Sequence, residues 1–204
     1  MAYTSINELT HGLGYGVVFI DPTGSTPGIP IAGLRGIETE NNQENSTFYA
    51  GFTAPYRTIA GAKTTQITVK SYDLPEDFAF HALGFGNVHG FMTDDVSNYK
   101  PYGFAYAERY RDNAGSGYKV TFYPSVQATT PSDTAEADEE SPTGKEYEHK
   151  ATVTNGDFTL GDKKRLLVKF KIPDVELPTE SGKAKAFKKL FTELKPLVAE
   201  DIIE

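Results

Sequence analysis

Apolar and polar residues alternate in several short runs of this chain, which is typical of β-strands with one buried face. The predicted strands cover residues 15–20, 67–70, 102–110, 118–123, 147–153 and 166–172. In the last run, Leu166, Val168, Phe170 and Ile172 are expected to point inward. Residues 31–40 carry apolar positions interrupted by Gly33 and Gly36, which predicts a broken or bulged strand. The pattern therefore indicates a mainly β chain.

A short helix is predicted between two of these strands. Asp73 is expected to provide an acidic cap, and Pro75 suits the first turn. Gly84 can end the helix in a left-handed conformation. One apolar face is formed by Leu74, Phe78, Ala82 and Leu83. The segment 67–110 thus predicts strand, helix and strand in succession.

A second helix is predicted near the C-terminus, over residues 181–195. Its lysines lie on one face, and Pro196 ends it. The opposite face carries Phe187, Leu190, Phe191 and Leu194. We expect this stripe to pack on the outer surface of the same subunit.

Two polar segments stand out between the strands. Residues 39–62 predict a long polar loop with embedded aromatics. A segment of this length is either a functional loop, a disordered loop or part of an undetected hairpin. Residues 131–146 hold six acidic residues against one lysine, which predicts a flexible acidic loop. The expected organisation is one β domain over residues 1–178, followed by a helix and tail over 179–204.

Composition excludes several classes of protein. The chain has no cysteine, so disulfides, thiolate metal sites and a cysteine nucleophile are absent. The net charge of −8 disfavours a protein that grips DNA through its phosphates. The N-terminus does not resemble a secretory signal, and no apolar run is long enough to span a membrane.

No motif in the sequence gives strong support for a catalytic, cofactor-binding or metal-binding site. His81 and His89 straddle a glycine turn near Asp94, without the short spacing that a metal site uses. The paired acids at 76–77 suit the first turn of a helix, and those at 139–140 lie in a charged run. No nucleophile elbow or phosphate loop is present. We therefore predict no catalytic, cofactor-binding or metal-binding residues.

The order of these segments resembles the major tail protein family, the tail tube proteins of long-tailed, siphovirus-type phages. The strongest part is DLPEDFAFHALGF at 73–85, followed by PYGFAY at 101–106. Before it come IAGLRGIE at 31–38, TFYAG at 47–51 and IAGAKT at 59–64. After it come GYKVTFYPSV at 117–126 and KEYEHKATV at 145–153. The similarity extends over roughly residues 31–153.

The resemblance implies a β-sandwich or half-barrel of the tail-tube type, with one short flanking helix. It implies rings of six copies, stacked into a tube through which DNA passes into the host without specific binding. The implied partners are the tape-measure protein, the tail terminator and baseplate or distal tail proteins. The implied location is the virion tail, assembled in the cytoplasm of the bacterial host.

In this family the long polar loop usually contacts the next ring. The expected stacking residues are Asn41, Asn42, Gln43, Glu44, Asn45, Phe48 and Tyr49. An alternative is a phage or bacterial surface β-sandwich that binds a glycan or receptor. That module would use exposed tyrosines, for which Tyr49, Tyr56, Tyr99 and Tyr102 are available.

Overall fold

The computed structural model describes residues 8–49, 55–129, 146–160 and 162–203, and within them the chain is mainly β. The strands are β1 Glu8–Phe19, β2 Ile29–Pro30, β3 Leu34–Tyr49, β4 Pro55–Ser71, β5 Phe85–Val88, β6 Phe91–Asp94, β7 Tyr102–Asp112, β8 Gly115–Ala128, β9 Tyr147–Val153, β10 Thr159–Leu160, β11 Lys163–Lys164 and β12 Val168–Pro173. The helices are α1 Glu76–Ala82, α2 Gly182–Phe191 and α3 Glu200–Ile203, and a 3-10 turn covers Val96–Asn98.

One antiparallel sheet dominates, in the order β2-β1-β7-β8-β9-β4-β3. Strand β8 pairs with β7 along one edge and divides its other edge between two partners. Its residues 117–122 pair with β12, and 126–128 pair with β9. Pro124, which has no N–H to donate, lies between the two pairings, where the β7 register also shifts. This antiparallel, mainly β architecture agrees with the predicted β-sandwich.

The first hydrophobic core lies between the sheet and α1. Phe78 and Leu83 of this helix are fully buried in one cluster with Ile67, Phe104 and Tyr123. Gly84 has a φ of +76°, which confirms the left-handed helix end, and a Cβ there would collide with the Tyr99 ring.

The second core lies on the opposite face of β1, β7 and β8. Phe19 and Phe122 are buried there beside Leu190 of α2 and Leu197. The two cores explain why every residue from 102 to 107 is buried, since successive side chains of β7 enter opposite cores. Small side chains such as Ala105 on the second face leave room for α2 to approach closely.

The structure corrects three details of the sequence prediction. Asp73 does not cap α1, because the helix begins two residues later than predicted, with Pro75 in the capping position. Leu166 is 41% exposed, since it precedes the first residue of β12. The polar segment 39–62 is not a loop: its described residues form the outer part of the β3–β4 hairpin.

The acidic segment predicted at 131–146 lies outside the described residues, apart from Glu146. Glu146 forms an ion pair with Arg35 at 3.4 Å. The division into residues 1–178 and 179–204 stays a prediction.

His149 is a titratable group inside the first core. It is 3% exposed, and its ring lies 5.3 Å from the ring of Phe78. Neither ring nitrogen has a hydrogen-bond partner among the described residues. Burial lowers the pKa of His149 from its ordinary 6.5 to about 4, because the charged form loses its hydration.

This histidine should make folding sensitive to acid. The unfolded chain binds a proton below pH 6.5, whereas the folded chain binds it only near pH 4, so the free energy of unfolding falls between these values. We expect wild type to lose roughly 3 kcal/mol more than His149→Phe between pH 7 and pH 4 in urea unfolding. The exposed-site variant His89→Asn should behave like wild type. If the free energy of unfolding depended on pH in the same way for wild type and His149→Phe, the lowered pKa of His149 would be contradicted.

Candidate assembly surfaces

The outer part of the β3–β4 hairpin extends beyond the rest of the sheet. Strand β9 pairs with β4 only over residues 66–71. Among the described residues, the remaining part of β4 pairs with β3 alone. We call this two-stranded extension, residues 41–49 and 55–65, the arm. Eleven residues at the usual rise per strand residue give the arm a length of about 35 Å.

All the predicted stacking residues lie on the β3 strand of the arm. Asn41 and Gln43 stand opposite Thr65 and Lys63. The Thr65 hydroxyl donates to Asn41 Oδ1 at 2.8 Å, and Gln43 Nε2 donates to the carbonyl of Gly61 at 3.0 Å. Asn41, Asn42 and Gln43 are exposed. Their side chains thus stabilise the strand pair and stay accessible to a partner.

The other predicted stacking residues follow farther along the same strand, and only their backbone pairing is described. Asn45 stands opposite Ala60, and Phe48 opposite Arg57. The remaining two, Glu44 and Tyr49, also belong to β3.

The arm has little to stabilise it within one subunit. A two-stranded ribbon is marginally stable in water unless a third strand or a packed face supports it. Each strand of the arm also leaves one edge of backbone N–H and C=O groups without a described strand partner. The arm therefore offers both edges and polar faces for contact with another chain.

A hairpin is only one alternative that the sequence leaves open for this segment, and there is a physical reason why the two strands could not be predicted from it. Alternation marks a strand only where one face enters a core, and Asn41, Asn42 and Gln43 are exposed on both faces. The remaining signal was the threonine content of 58–65, which favours strands.

The predicted apolar stripe of the C-terminal helix lies against its own sheet. Ser181 caps α2, its hydroxyl accepting from the Ala184 amide at 3.2 Å. Leu190 is fully buried in the second core, with Phe187, Phe191 and Leu194 packed against it.

Aromatic rings of the sheet hold this helix in place. Tyr15 lies 5.9 Å from the ring of Phe187 and 5.4 Å from that of Phe191. The carbonyl of Leu194 accepts from the Gly28 amide at 2.6 Å, which fastens the residues after the helix. Lys189 pairs with Asp201 of α3 at 2.6 Å.

The other candidate sites do not converge on a reaction centre. Among the described residues, no group of three or more His, Asp or Glu side chains could hold a metal ion. No helix in the described part of the chain is long and apolar enough to cross a membrane. Tyr102 is 2% exposed and belongs to the first core, so it cannot contribute to a glycan-binding surface. Tyr99 is half-buried.

A comparison with known protein families gives a match over most of the chain. A family model described as phage tail tube protein matches residues 21–200, which include strands β2 to β12, the arm and α2. No curated protein matches the sequence.

Packing of α2 on its own subunit predicts a loss of stability when the stripe is truncated. Leu190→Ala should lower the free energy of unfolding by about 2–5 kcal/mol, because it leaves a cavity in a closed core. Phe191→Ala should also lower it. Lys188→Ala, on the exposed face, should stay within about 0.5 kcal/mol of wild type in the same denaturant titration. Unchanged stability of both apolar variants, with weakened assembly, would instead place the stripe between subunits.

Proposed function

The chain belongs to the phage tail tube protein family, and we propose that its copies form six-membered rings that stack into the tail tube of a long-tailed phage. Membership makes the chain a structural component of the virion tail that assembles as a tube. The number of copies in a ring, the path of DNA and the other tail partners are parts of the proposal.

The observation that carries the proposal is the arm. Its strands leave the sheet with backbone edges available, and pairing with a neighbouring chain would satisfy those N–H and C=O groups. The two cores and the strands and helices that enclose them, which we call the body, need no such extension for their own stability. We propose that the arm, including Asn41, Asn42 and Gln43, contacts the next ring.

The proposed lumen carries the tape-measure protein during assembly and DNA during ejection. A net charge of −8 supports a wall that DNA slides past, because like charges repel. The ends of the tube would meet the tail terminator and the baseplate or distal tail proteins. Assembly would take place in the bacterial cytoplasm.

Shortening the arm should separate folding from tube growth. Replacing residues 46–59 with Asn-Gly joins Asn45 to Ala60, which already face each other, through a favoured hairpin turn. The variant should unfold with nearly wild-type stability, because it keeps every described residue of both cores. Negative-stain microscopy of the concentrated proteins should show tubes for wild type and none for the shortened arm.

Lys188→Ala is the control, because Lys188 lies on the exposed face of α2 and the substitution leaves the arm intact. It should assemble like wild type. Wild-type tubes together with shortened-arm tubes of normal length would exclude a stacking role for the arm. A protein that forms no tubes, even within the assembled particle, would overturn the proposed function itself.

A further inference from the structure

The β5–β6 hairpin presents a fixed apolar tip to solvent. His89 and Gly90 connect its strands with φ angles of +54° and +86°, as a tight turn of type I′ requires. Val88, Phe91 and Met92 at the tip are 52%, 74% and 50% exposed. Three neighbouring exposed apolar side chains are typical of an interaction surface.

The base of this hairpin is anchored to the body. The carbonyl of Phe85 accepts from Asn98 Nδ2 at 2.7 Å, and the Asp95 amide donates to the carbonyl of Gly84 at 2.7 Å. Phe85 also packs against the first core. The tip therefore projects in a set direction.

A cationic cleft lies elsewhere on the molecule, between the base of the arm and the segment that leads into β12. Its volume is about 420 Å³, within the range of pockets that enclose small ligands. The side chains that line it include Lys63, Lys164, Arg165 and Lys169. Leu166 and Leu167 provide apolar surface and are 41% and 39% exposed.

The hairpin and the cleft complement each other in charge and polarity. No carboxylate lines the cleft among the described residues, although the chain carries a net charge of −8. Lys164 forms an ion pair with Asp157 at 3.2 Å, so the cationic rim consists of Lys63, Arg165 and Lys169. Residues 85–95 contain Asp94 and Asp95 and no lysine or arginine. The hairpin thus has an apolar tip next to two acidic residues, and the cleft has apolar surface next to cationic side chains, so the two surfaces are complementary.

We propose that the β5–β6 hairpin of one copy docks into the cationic cleft of a second copy, an inference that rests on the proposed tube. Tip and cleft are both exposed within one subunit, and the anchored base keeps the tip from folding back. A contact between two different surfaces of the same chain is heterologous. Repeated from copy to copy, it generates rings or helical stacks, which are the arrangements that a tube needs.

Cross-linking tests the contact directly, because the chain has no natural cysteine. Val88→Cys and Leu167→Cys are combined in one chain, which keeps Phe91 at the tip, and assembled tubes are treated with a short bis-maleimide, which tolerates offsets that a disulfide does not. Each copy then carries both halves of the contact. We expect a ladder of linked dimers, trimers and larger species on a denaturing gel.

The control pair is Val88→Cys with Val175→Cys, since Val175 is 83% exposed and lies outside the cleft. This pair should give no ladder. Tubes of the first double variant without a ladder, or dimers from Val88→Cys alone, would overturn the contact and leave the tube intact. Absence of wild-type tubes would instead remove the proposed function.

A second measurement uses the threshold concentration for assembly. Phe91→Ser should raise it roughly ten-fold or more, because the tip loses its main apolar side chain. Leu9→Ser, at another exposed apolar residue, should leave it unchanged. A threshold unaffected by Phe91→Ser contradicts the docking. Binding of a DNA duplex that is lost in Arg165→Glu, in a protein whose tubes give no ladder, would make the cleft a phosphate site and overturn our proposal.

Discussion

The division of one edge of β8 between two partners is the constraint on which the rest of the structure depends. Strand β8 pairs with β12 over residues 117–122 and with β9 over residues 126–128, and Pro124 lies between the two pairings. Strand β8 also pairs with β7, whose two faces are both buried. One core then receives α1 and the other receives α2. The β3–β4 hairpin, whose outer part is the arm, joins the rest of the sheet through the pairing of β4 with β9.

The same arrangement separates a stable body from surfaces that lack partners. The body closes two cores with its own helices and needs no neighbour to bury them. Asn41, Asn42 and Gln43 of the arm and the tip of the β5–β6 hairpin are exposed, and Tyr123 of the first core forms part of the wall of the cationic cleft. Edge pairing and an apolar contact between unlike surfaces would both connect identical copies in sequence. This separation suits a protein that must fold first and assemble afterwards.

Much of the body could be predicted from sequence, because its strands have one face in a core. Alternation located β7, β8 and β9, and Gly84 marked the end of α1. The arm could not be predicted in this way, because residues that are exposed on both faces of a strand, such as Asn42, show no alternation of apolar and polar positions. The pairing of β8 with both β9 and β12 also could not be predicted, because strand order depends on contacts distant in sequence. The tail-tube assignment came from the succession of motifs in residues 31–153, and the family match over residues 21–200 confirms it.

The central claim is that the arm depends on a neighbouring copy for its stability, and hydrogen exchange of backbone amides tests this most directly. Exchange is compared between unassembled protein and purified tubes, at residues 41–49 and 55–65. The account predicts fast exchange of these amides in the single subunit and strong protection in the tube, with β7 protected in both. Equal protection of the arm in the two states would contradict it.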